Sequence, residues 1–216
     1  SKGNILDPID IIDGISLDEL ILKRTSNLLS SKQTQKIVSS TKKDFPKGIS
    51  PYGADAIRFT FCSLASGSRD INFDLNRVEG YRNFCNKLWN ASRFIILQCK
   101  TKKVSKNKSN DEEDRWLLNE MNKTFRIYSD HIENYRFDLA VQSIYEFVWE
   151  IYCDWYIELS KPIFYGEDEK EKEETRATAA WVLEYLIMIL HPFMPFITEE
   201  LWQKTGPKRE KMLISS

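Results

Sequence analysis

Residues 78 to 99 carry apolar and small side chains at alternating spacings of three and four, and no other feature constrains the fold as strongly. Side chains at this spacing fall on one side of an α-helix, because successive residues are about 100° apart around its axis. The pattern predicts a helix that begins near Asp74, whose carboxylate suits the positive end of a helix. One apolar side needs neighbours to cover it, so a packed helical domain is expected. The predicted buried side consists of Val78, Tyr81, Cys85, Leu88, Ser92, Ile95 and Cys99.

The opposite side of the same helix combines an aromatic ring with amides and cations. Such a surface suits unpaired nucleotides, because bases stack on rings, amides bond to base edges and cations meet phosphates. The alternative is that Phe94 packs against another helix while its polar neighbours are merely solvated, and the helix alone favours this alternative. The polar stripe consists of Asn83, Lys87, Asn90 and Phe94, and Arg82, Asn86 and Arg93 flank it.

The remaining sequence is also typical of helices, which predicts an all-α fold. Ser16 and Glu19 form a capping-box pattern for a helix through about Leu28. Apolar periodicity and Pro or Gly punctuation predict further helices over residues 31–43, 52–65, 116–132, 136–159 and 175–190. A last short helix is expected through Trp202, and the tail after Gly206 is expected to be loosely held.

Apolar spacing also predicts which side chains of these helices face inward. The 116–132 and 136–159 helices are expected to form a hairpin, and the aromatic load of the later helices is interpreted as bundle core rather than a ligand pocket. The inward sets are Ala54, Ile57, Phe61 and Leu64 in the 52–65 helix, and Leu139, Ile144, Phe147, Val148, Ile151, Trp155 and Leu159 in the second hairpin helix; the aromatic core set includes Trp149, Trp155, Trp181 and Tyr185.

Composition excludes few classes of protein. The net charge of −1 over 216 residues gives no overall basic field, which is weak evidence against a nucleic-acid partner, although a few side chains suffice for base contacts. The four cysteines are far apart and read as reduced packing residues of a cytoplasmic protein. No apolar run reaches membrane-spanning length, so no membrane partner is expected.

Motifs for catalysis are largely missing. His131 and His191 lack the neighbouring ligands of a metal site, so none is predicted. The chain has no Gly-rich phosphate loop followed by Lys-Ser or Lys-Thr, and no Ser-centred elbow.

Several segments, in order, resemble one known family. The run from Asn86 to Phe94, preceded by Arg69-Asp70-Ile71, is similar to the start of the anticodon-binding domain of valyl-tRNA synthetases. Ser1 to Pro8 looks like the end of that family's Lys-Met-Ser-Lys-Ser signature with its usual continuation. Tyr52 to Phe59 and His191 to Trp202 match elements that the isoleucyl and leucyl enzymes share. The resemblance covers nearly the whole chain.

The resemblance implies a fold and a division into domains. It implies the class Ia architecture, a small helical stem-contact region followed by an antiparallel helical bundle that binds the anticodon. The corresponding ranges are 1–72 for the segment after the signature loop, 73–204 for the bundle and 205–216 for a tail. The extended stretch from Arg69 to Phe73 would join the two regions.

The resemblance also implies which residues of this chain contact tRNA or ATP. The resemblance places Lys87 and Phe94 where the family meets anticodon bases, with Asn83, Asn90, Arg82 and Arg93 assisting. The family also carries an arginine just ahead of this helix, and Arg77 stands near that position. Ser1 and Lys2 correspond to the remnant of the signature loop, which in the family steadies the triphosphate of ATP.

The resemblance also implies partners and an activity for a longer protein. That protein would be a ligase that attaches valine to tRNA with ATP and Mg, and this segment would position a tRNA carrying a valine anticodon beside catalytic and editing domains of the same chain. The segment alone is expected to be inactive and to need no cofactor. The alternatives are an isoleucyl- or leucyl-type synthetase, and a helical protein-interaction module without RNA binding.

Overall fold

The computed structural model describes residues 6–26, 30–66, 73–99, 112–205 and 211–215. Within these ranges the backbone forms helices joined by turns, with two isolated bridges and no strand, which confirms the predicted all-α class. The helices are α1 (Pro8–Asp13), α2 (Leu17–Thr25), α3 (Ser31–Asp44), α4 (Ala54–Leu64), α5 (Leu75–Gln98), α6 (Glu112–Glu133), α7 (Phe137–Glu146), a π-helix (Phe147–Tyr156), α8 (Ile157–Tyr165), α9 (Glu169–Leu190), α10 (Pro195–Lys204) and a 3₁₀ turn (Leu213–Ser215).

The capping box predicted for α2 is present. The Ser16 hydroxyl accepts from the Glu19 amide at 3.4 Å, and the Glu19 carboxylate accepts from the Ser16 amide at 3.3 Å. This exchange satisfies two backbone N–H groups that have no partner inside the helix. The helix ends at Thr25, earlier than predicted, and residues 27–29 lie outside the described ranges.

Paired backbone hydrogen bonds tie the α2–α3 hairpin to the approach to α4. Ile15 and Ile49 exchange N–H···O bonds of 2.9 Å in both directions. Gly48, in the turn before Ile49, has φ +76°, and a Cβ there would lie 2.2 Å from the Ile15 carbonyl oxygen. Only glycine fits this close approach of two backbones.

Helix α4 packs into two hydrophobic cores. The smaller core consists of Ile11, Ala56, Ile57 and Val78, and Phe59 belongs to the larger one. The predicted inward face of α4 is wrong at Phe61, which is 42% exposed and lies 5.6 Å from the Phe73 ring. Because α4 is covered on two sides, its buried residues do not follow a single stripe.

The larger core is enclosed by α5 to α10. Two tyrosines at its centre are fully buried and hydrogen-bonded: the Tyr152 hydroxyl donates to the Ala179 carbonyl at 3.0 Å, and that of Tyr156 donates to Asp114 at 2.7 Å. Burial raises the pKa of both hydroxyls well above the ordinary value, so they remain donors. The hairpin of α6 and α7 is present, with Trp149 and Trp181 packed against this core as expected.

A π-helix occupies the middle of the predicted 136–159 helix. The Ile157 amide donates to the carbonyl of Tyr152, five residues earlier, so the segment winds more slowly than an α-helix. The inward placement of Trp155 and Leu159 is therefore wrong, since they are 59% and 44% exposed. Spacing for an α-helix does not hold across this segment.

The end of the chain is attached more firmly than predicted. Leu213 is buried, and its amide donates to the Glu199 carboxylate at 2.8 Å. Residues 211–215 are therefore docked on α10, which corrects the expectation of a loose tail, while residues 206–210 lie outside the described ranges. No helix in the described part of the chain has the length and apolar character to cross a membrane.

Candidate nucleic-acid interface

Helix α5 forms as its sequence predicts. The Asp74 carboxylate caps it by accepting from the Asn76 amide at 2.9 Å, and 24 residues follow, about 36 Å of helix. The predicted buried side is confirmed, because Val78, Leu88, Ser92 and Ile95 are buried and the other three predicted residues are partly buried. Phe84, which the stripe omitted, is also fully buried.

The outward side of α5 carries exposed arginines and asparagines. Arg82 and Arg93 are exposed and eleven residues apart, which places them about 16 Å apart along nearly the same line. Among the described residues, neither of them forms an ion pair within 4.0 Å. Asn83 and Asn90 are exposed beside them. The predicted association of cations with amides on one open face is therefore present.

Lys87 lies at the edge of this face rather than in open solvent. Its ammonium is 2.5 Å from the Asp154 carboxylate and 3.8 Å from the centre of the Trp149 ring. The side chain is 24% exposed. Both contacts come from the π-helix, which covers this edge of α5 and corrects the expectation of a fully solvated stripe.

Stacked rings support the surface beneath Lys87. Trp149 lies 5.7 Å from Tyr145 and 6.5 Å from Phe84, with interplanar angles of 22° and 25°. Tyr145 in turn meets the Tyr81 ring edge-on at 5.8 Å. This aromatic column fixes the ring on which the ammonium sits, so the position of Lys87 is determined by packed side chains.

Phe94 is partly buried. Its ring lies 5.7 Å from that of Phe164 on α8, at 61°. The ring packs against the larger core, as the helix-packing alternative expected, while Asn90 and Arg93 beside it are exposed. A ring held in this way keeps a fixed orientation, which favours stacking on a flat partner.

Of the three other predicted site residues, Arg77 alone lies in the described ranges. It is exposed in the first turn of α5 and lies about 140° around the axis from Arg82, the same angle that separates Arg82 from Lys87 in the other direction. Ser1 and Lys2 lie outside the described ranges. Sequence reasoning missed Trp149 and Asp154, because they stand more than sixty positions after Lys87 and on a π-helix that no local pattern indicated.

A second constellation joins the segments Tyr52–Phe59 and His191–Trp202. The Asp55 carboxylate accepts from the Phe196 and Ile197 amides at 3.2 and 2.7 Å, which caps α10 from α4. Arg58 donates to the carbonyls of Pro192 and Phe193 at 3.0 and 3.3 Å. Burial raises the pKa of Asp55, although the two amide hydrogen bonds oppose this shift. These residues tie α4 to the start of α10, and Asp55 and Phe196 also line a surface cavity of about 310 Å³.

Metal binding has no support in the described residues. No group of three or more His, Cys, Asp or Glu side chains within those ranges is arranged to hold an ion. Burial raises the pKa of the Cys85 and Cys153 thiols to about 12 and that of Cys99 to about 11, so these cysteines stay protonated at neutral pH.

Residues 114–215 match the family described as the anticodon-binding domain of tRNA ligase. A solved ternary complex of LeuRS, tRNA and LeuAMS from Agrobacterium radiobacter has the same fold over 76% of this chain and 19% of its own, with a TM-score of 0.55 and 16% identity. The chain thus carries an anticodon-binding domain of the tRNA-ligase type.

Relatives with higher sequence identity are named as valine–tRNA ligases. The chain is 52% identical to a valine–tRNA ligase of Legionella pneumophila over 95% of its length, and 50% and 51% identical to those of Stenotrophomonas maltophilia and Coxiella burnetii over 96%. It spans 22–23% of the length of these relatives. Over nearly its whole length the chain is therefore similar to one segment of valine–tRNA ligases, and residues 114–215 of it match the anticodon-binding domain, which confirms the resemblance seen in the sequence.

Phe94→Leu is expected to weaken binding to a valine anticodon stem-loop about fivefold or more, because leucine keeps the apolar packing on Phe164 but removes the stacking ring. Fluorescence anisotropy measures the affinity, and thermal unfolding should show little change. Phe125→Leu is the matched control, since Phe125 is also partly buried and faces a ring at 6.3 Å on another side of the bundle. Equal losses in both variants would remove Phe94 from the interface.

Proposed function

We propose that this chain is the tRNA-positioning part of a valine–tRNA ligase and that the outward side of α5 reads the anticodon. The observation that carries the proposal is the face itself: two exposed arginines that form no ion pair with any described residue, exposed asparagines, a fixed lysine and an oriented phenylalanine on one helix. Unpaired bases are recognised by this combination of stacking, amide bonding and cations. The 50–52% identity to valine–tRNA ligases supports valine over isoleucine or leucine.

Each side chain has a proposed role. Phe94 stacks on an anticodon base, Lys87 donates to a base edge, and Asn83 and Asn90 bond to neighbouring base edges. Arg82 and Arg93 meet phosphates, for which the planar guanidinium is well suited. Arg77, exposed in the first turn of α5, takes the place of the arginine that the family carries just ahead of this helix.

The full-length ligase would attach valine to tRNA with ATP and Mg in the cytoplasm. Its catalytic and editing domains would lie in the part of the relatives that this chain does not span. We propose no contact with ATP or Mg for any of the described residues. The chain alone should therefore give no valine-dependent exchange of pyrophosphate into ATP.

The test is binding of the chain to two anticodon stem-loops at two salt concentrations. One carries a valine anticodon and the other has altered anticodon bases. Tighter binding of the valine loop at both salt concentrations supports the proposal. Equal binding that weakens steeply with salt would indicate phosphate contacts without base reading. Absence of binding to either loop would mean that recognition needs the domains this chain does not span, or that this face of α5 binds protein.

In the proposed stem-contact region, helix α3 carries exposed lysines on one side. Lys32, Lys36 and Lys43 lie on one side of α3 and are exposed. Within the described residues they form no ion pair, whereas Lys123, Lys161 and Lys204 each pair with a glutamate three or four positions away. Like charges four apart destabilise a helix slightly, so an anionic partner would relieve this repulsion.

Replacing Lys32, Lys36 and Lys43 together with glutamine is expected to lower the salt dependence of binding to a whole tRNA. The slope of log K against log salt should fall by about 2 to 3, because each phosphate contact with a duplex contributes about 0.9. The control replaces Lys123, Lys161 and Lys204 with glutamine, which removes the same charge from paired positions. If the two triple variants change the slope equally, α3 is not a contact surface.

A further inference from the structure

The side chain of Lys87 is held from two directions. Asp154 binds its ammonium from one side at 2.5 Å, and the face of Trp149 lies beneath it at 3.8 Å. A long lysine side chain normally samples many rotamers, and two such contacts restrict it to few. The ammonium has three N–H donors, so it can still offer a donor outward while it keeps Asp154.

This ion pair differs from the other lysine pairs on the bundle surface. Lys123, Lys161 and Lys204 pair with glutamates of their own helix, as the helical repeat allows. Lys87 pairs across two elements, with a residue 67 positions later. The slow winding of the π-helix sets which of its side chains faces α5, so the pair depends on tertiary structure rather than local spacing.

The negative charge of Asp154 would be unfavourable for RNA binding at this position unless the residue had another role. Its side chain is 51% exposed, and a carboxylate near a phosphate backbone lowers affinity by repulsion. A mobile lysine binds any acceptor within reach, phosphates included, whereas a fixed donor distinguishes one base edge from another. Asp154 would thus lower the affinity of the chain for RNA but raise its selectivity for one base over another.

We propose that Asp154 is a positioning residue for base reading: it holds the Lys87 ammonium over Trp149 so that the remaining donors address one anticodon base. The inference rests on the proposed function of α5. Asp154 acts through Lys87 and determines how well the chain separates correct from altered anticodons, while it adds nothing to overall affinity.

The experiment measures Kd for the valine stem-loop and the altered stem-loop with the full 216-residue chain, its Asp154→Asn variant, its Lys87→Met variant and the double variant. In Asp154→Asn, the ratio of the two Kd values should fall about fivefold, the size expected for a partly exposed ion pair, while binding of the altered loop becomes equal or tighter. In the Lys87→Met background, Asp154→Asn should leave the ratio unchanged, because its effect passes through the lysine.

Glu158→Gln is the matched control. Glu158 is exposed on α8, four positions after Asp154, and binds Lys161 at 2.6 Å. This substitution removes one negative charge from a neighbouring position without touching Lys87, so the ratio of Kd values should stay as in the unmodified chain. A fall in the ratio equal to that of Asp154→Asn would show a general charge effect and overturn the proposal.

The acetylation rate of Lys87, measured by mass spectrometry in the absence of RNA, tests whether Asp154 holds the lysine side chain, independently of RNA binding. Faster acetylation of Lys87 in Asp154→Asn is expected, and an unchanged rate would overturn the positioning role. If Lys87 is released but the ratio of Kd values persists, the inference fails while the proposed function stands. If the unmodified chain does not separate the two loops, the proposed function fails and this inference with it.

Discussion

Replacing Asp55 with alanine is expected to lower the free energy of unfolding by about 3 kcal/mol, since hydrogen bonds to a charged group contribute about 1.5–3 kcal/mol each and burial of the charge offsets part of this. The carboxylate is 8% exposed and caps α10 from α4 with two amide bonds. Its loss leaves both amides without this acceptor and weakens the contact between the early helices and the bundle. Urea unfolding followed by circular dichroism measures the change.

Asp74→Ala is the control for this prediction. Asp74 also caps a helix with its side chain, but it is exposed and accepts a single bond from its own helix. Its removal should cost about 1 kcal/mol, the usual value for a local cap. Similar losses in the two variants would show that the junction between α4 and α10 contributes no more than an ordinary cap.

The pH dependence of this junction follows from the raised pKa of Asp55. A carboxyl group whose pKa rises on folding stabilises the fold most below its unfolded pKa, and this contribution is lost as the pH rises through the folded value. The stability difference between the unmodified chain and Asp55→Ala should therefore be at least as large near about pH 5 as near about pH 8. A difference that shrinks on acidification would contradict the assignment.

Replacing Arg82 and Arg93 together with glutamine is expected to weaken binding of the valine stem-loop about tenfold near physiological salt, because two phosphate contacts with a single strand contribute a slope of about 1.4. Both arginines are exposed and without an ion pair in the described structure, so their removal should leave folding unchanged. Titrations at several salt concentrations measure the affinity and the slope.

Arg115→Gln with Arg126→Gln provides a control of the same geometry. These arginines are also exposed and eleven residues apart, on α6 rather than α5. The control lowers the net charge equally, so long-range attraction to RNA changes by a similar amount. A comparable loss in both double variants would point to general electrostatics and would leave α5 without a specific phosphate-binding role.

Predictions from the sequence were correct where interactions between residues close in the chain determine the structure. The caps at Ser16 and Asp74 depend on residues within a few positions, and the buried side of α5 depends on the helical repeat alone. Prediction failed at Trp155, because the π-helix changes the repeat. It failed at Phe61, because α4 is covered on two sides.

The candidate site likewise contains some features that the sequence predicted and others that it did not. The exposed positions of Arg82, Asn83, Asn90 and Arg93 follow from the helical repeat, and the structure agrees with them. The environment of Lys87 does not follow from it, since Trp149 and Asp154 belong to an element far along the chain. Contacts between distant segments are set by packing, which one sequence does not reveal. The roles of these residues toward tRNA remain predictions.

Helix α4 contributes Phe59 to the larger core and Ile57 to the smaller one, and α5 does the same through Leu88 and Val78. Two helices that serve both cores cannot bend at the boundary without exposing fully buried side chains, at a cost of about 1.5–3 kcal/mol each. The arginine side of α5 is thus held in a fixed position relative to α4 and to both cores. An RNA bound along α5 would therefore have to adapt its own shape to that of the protein.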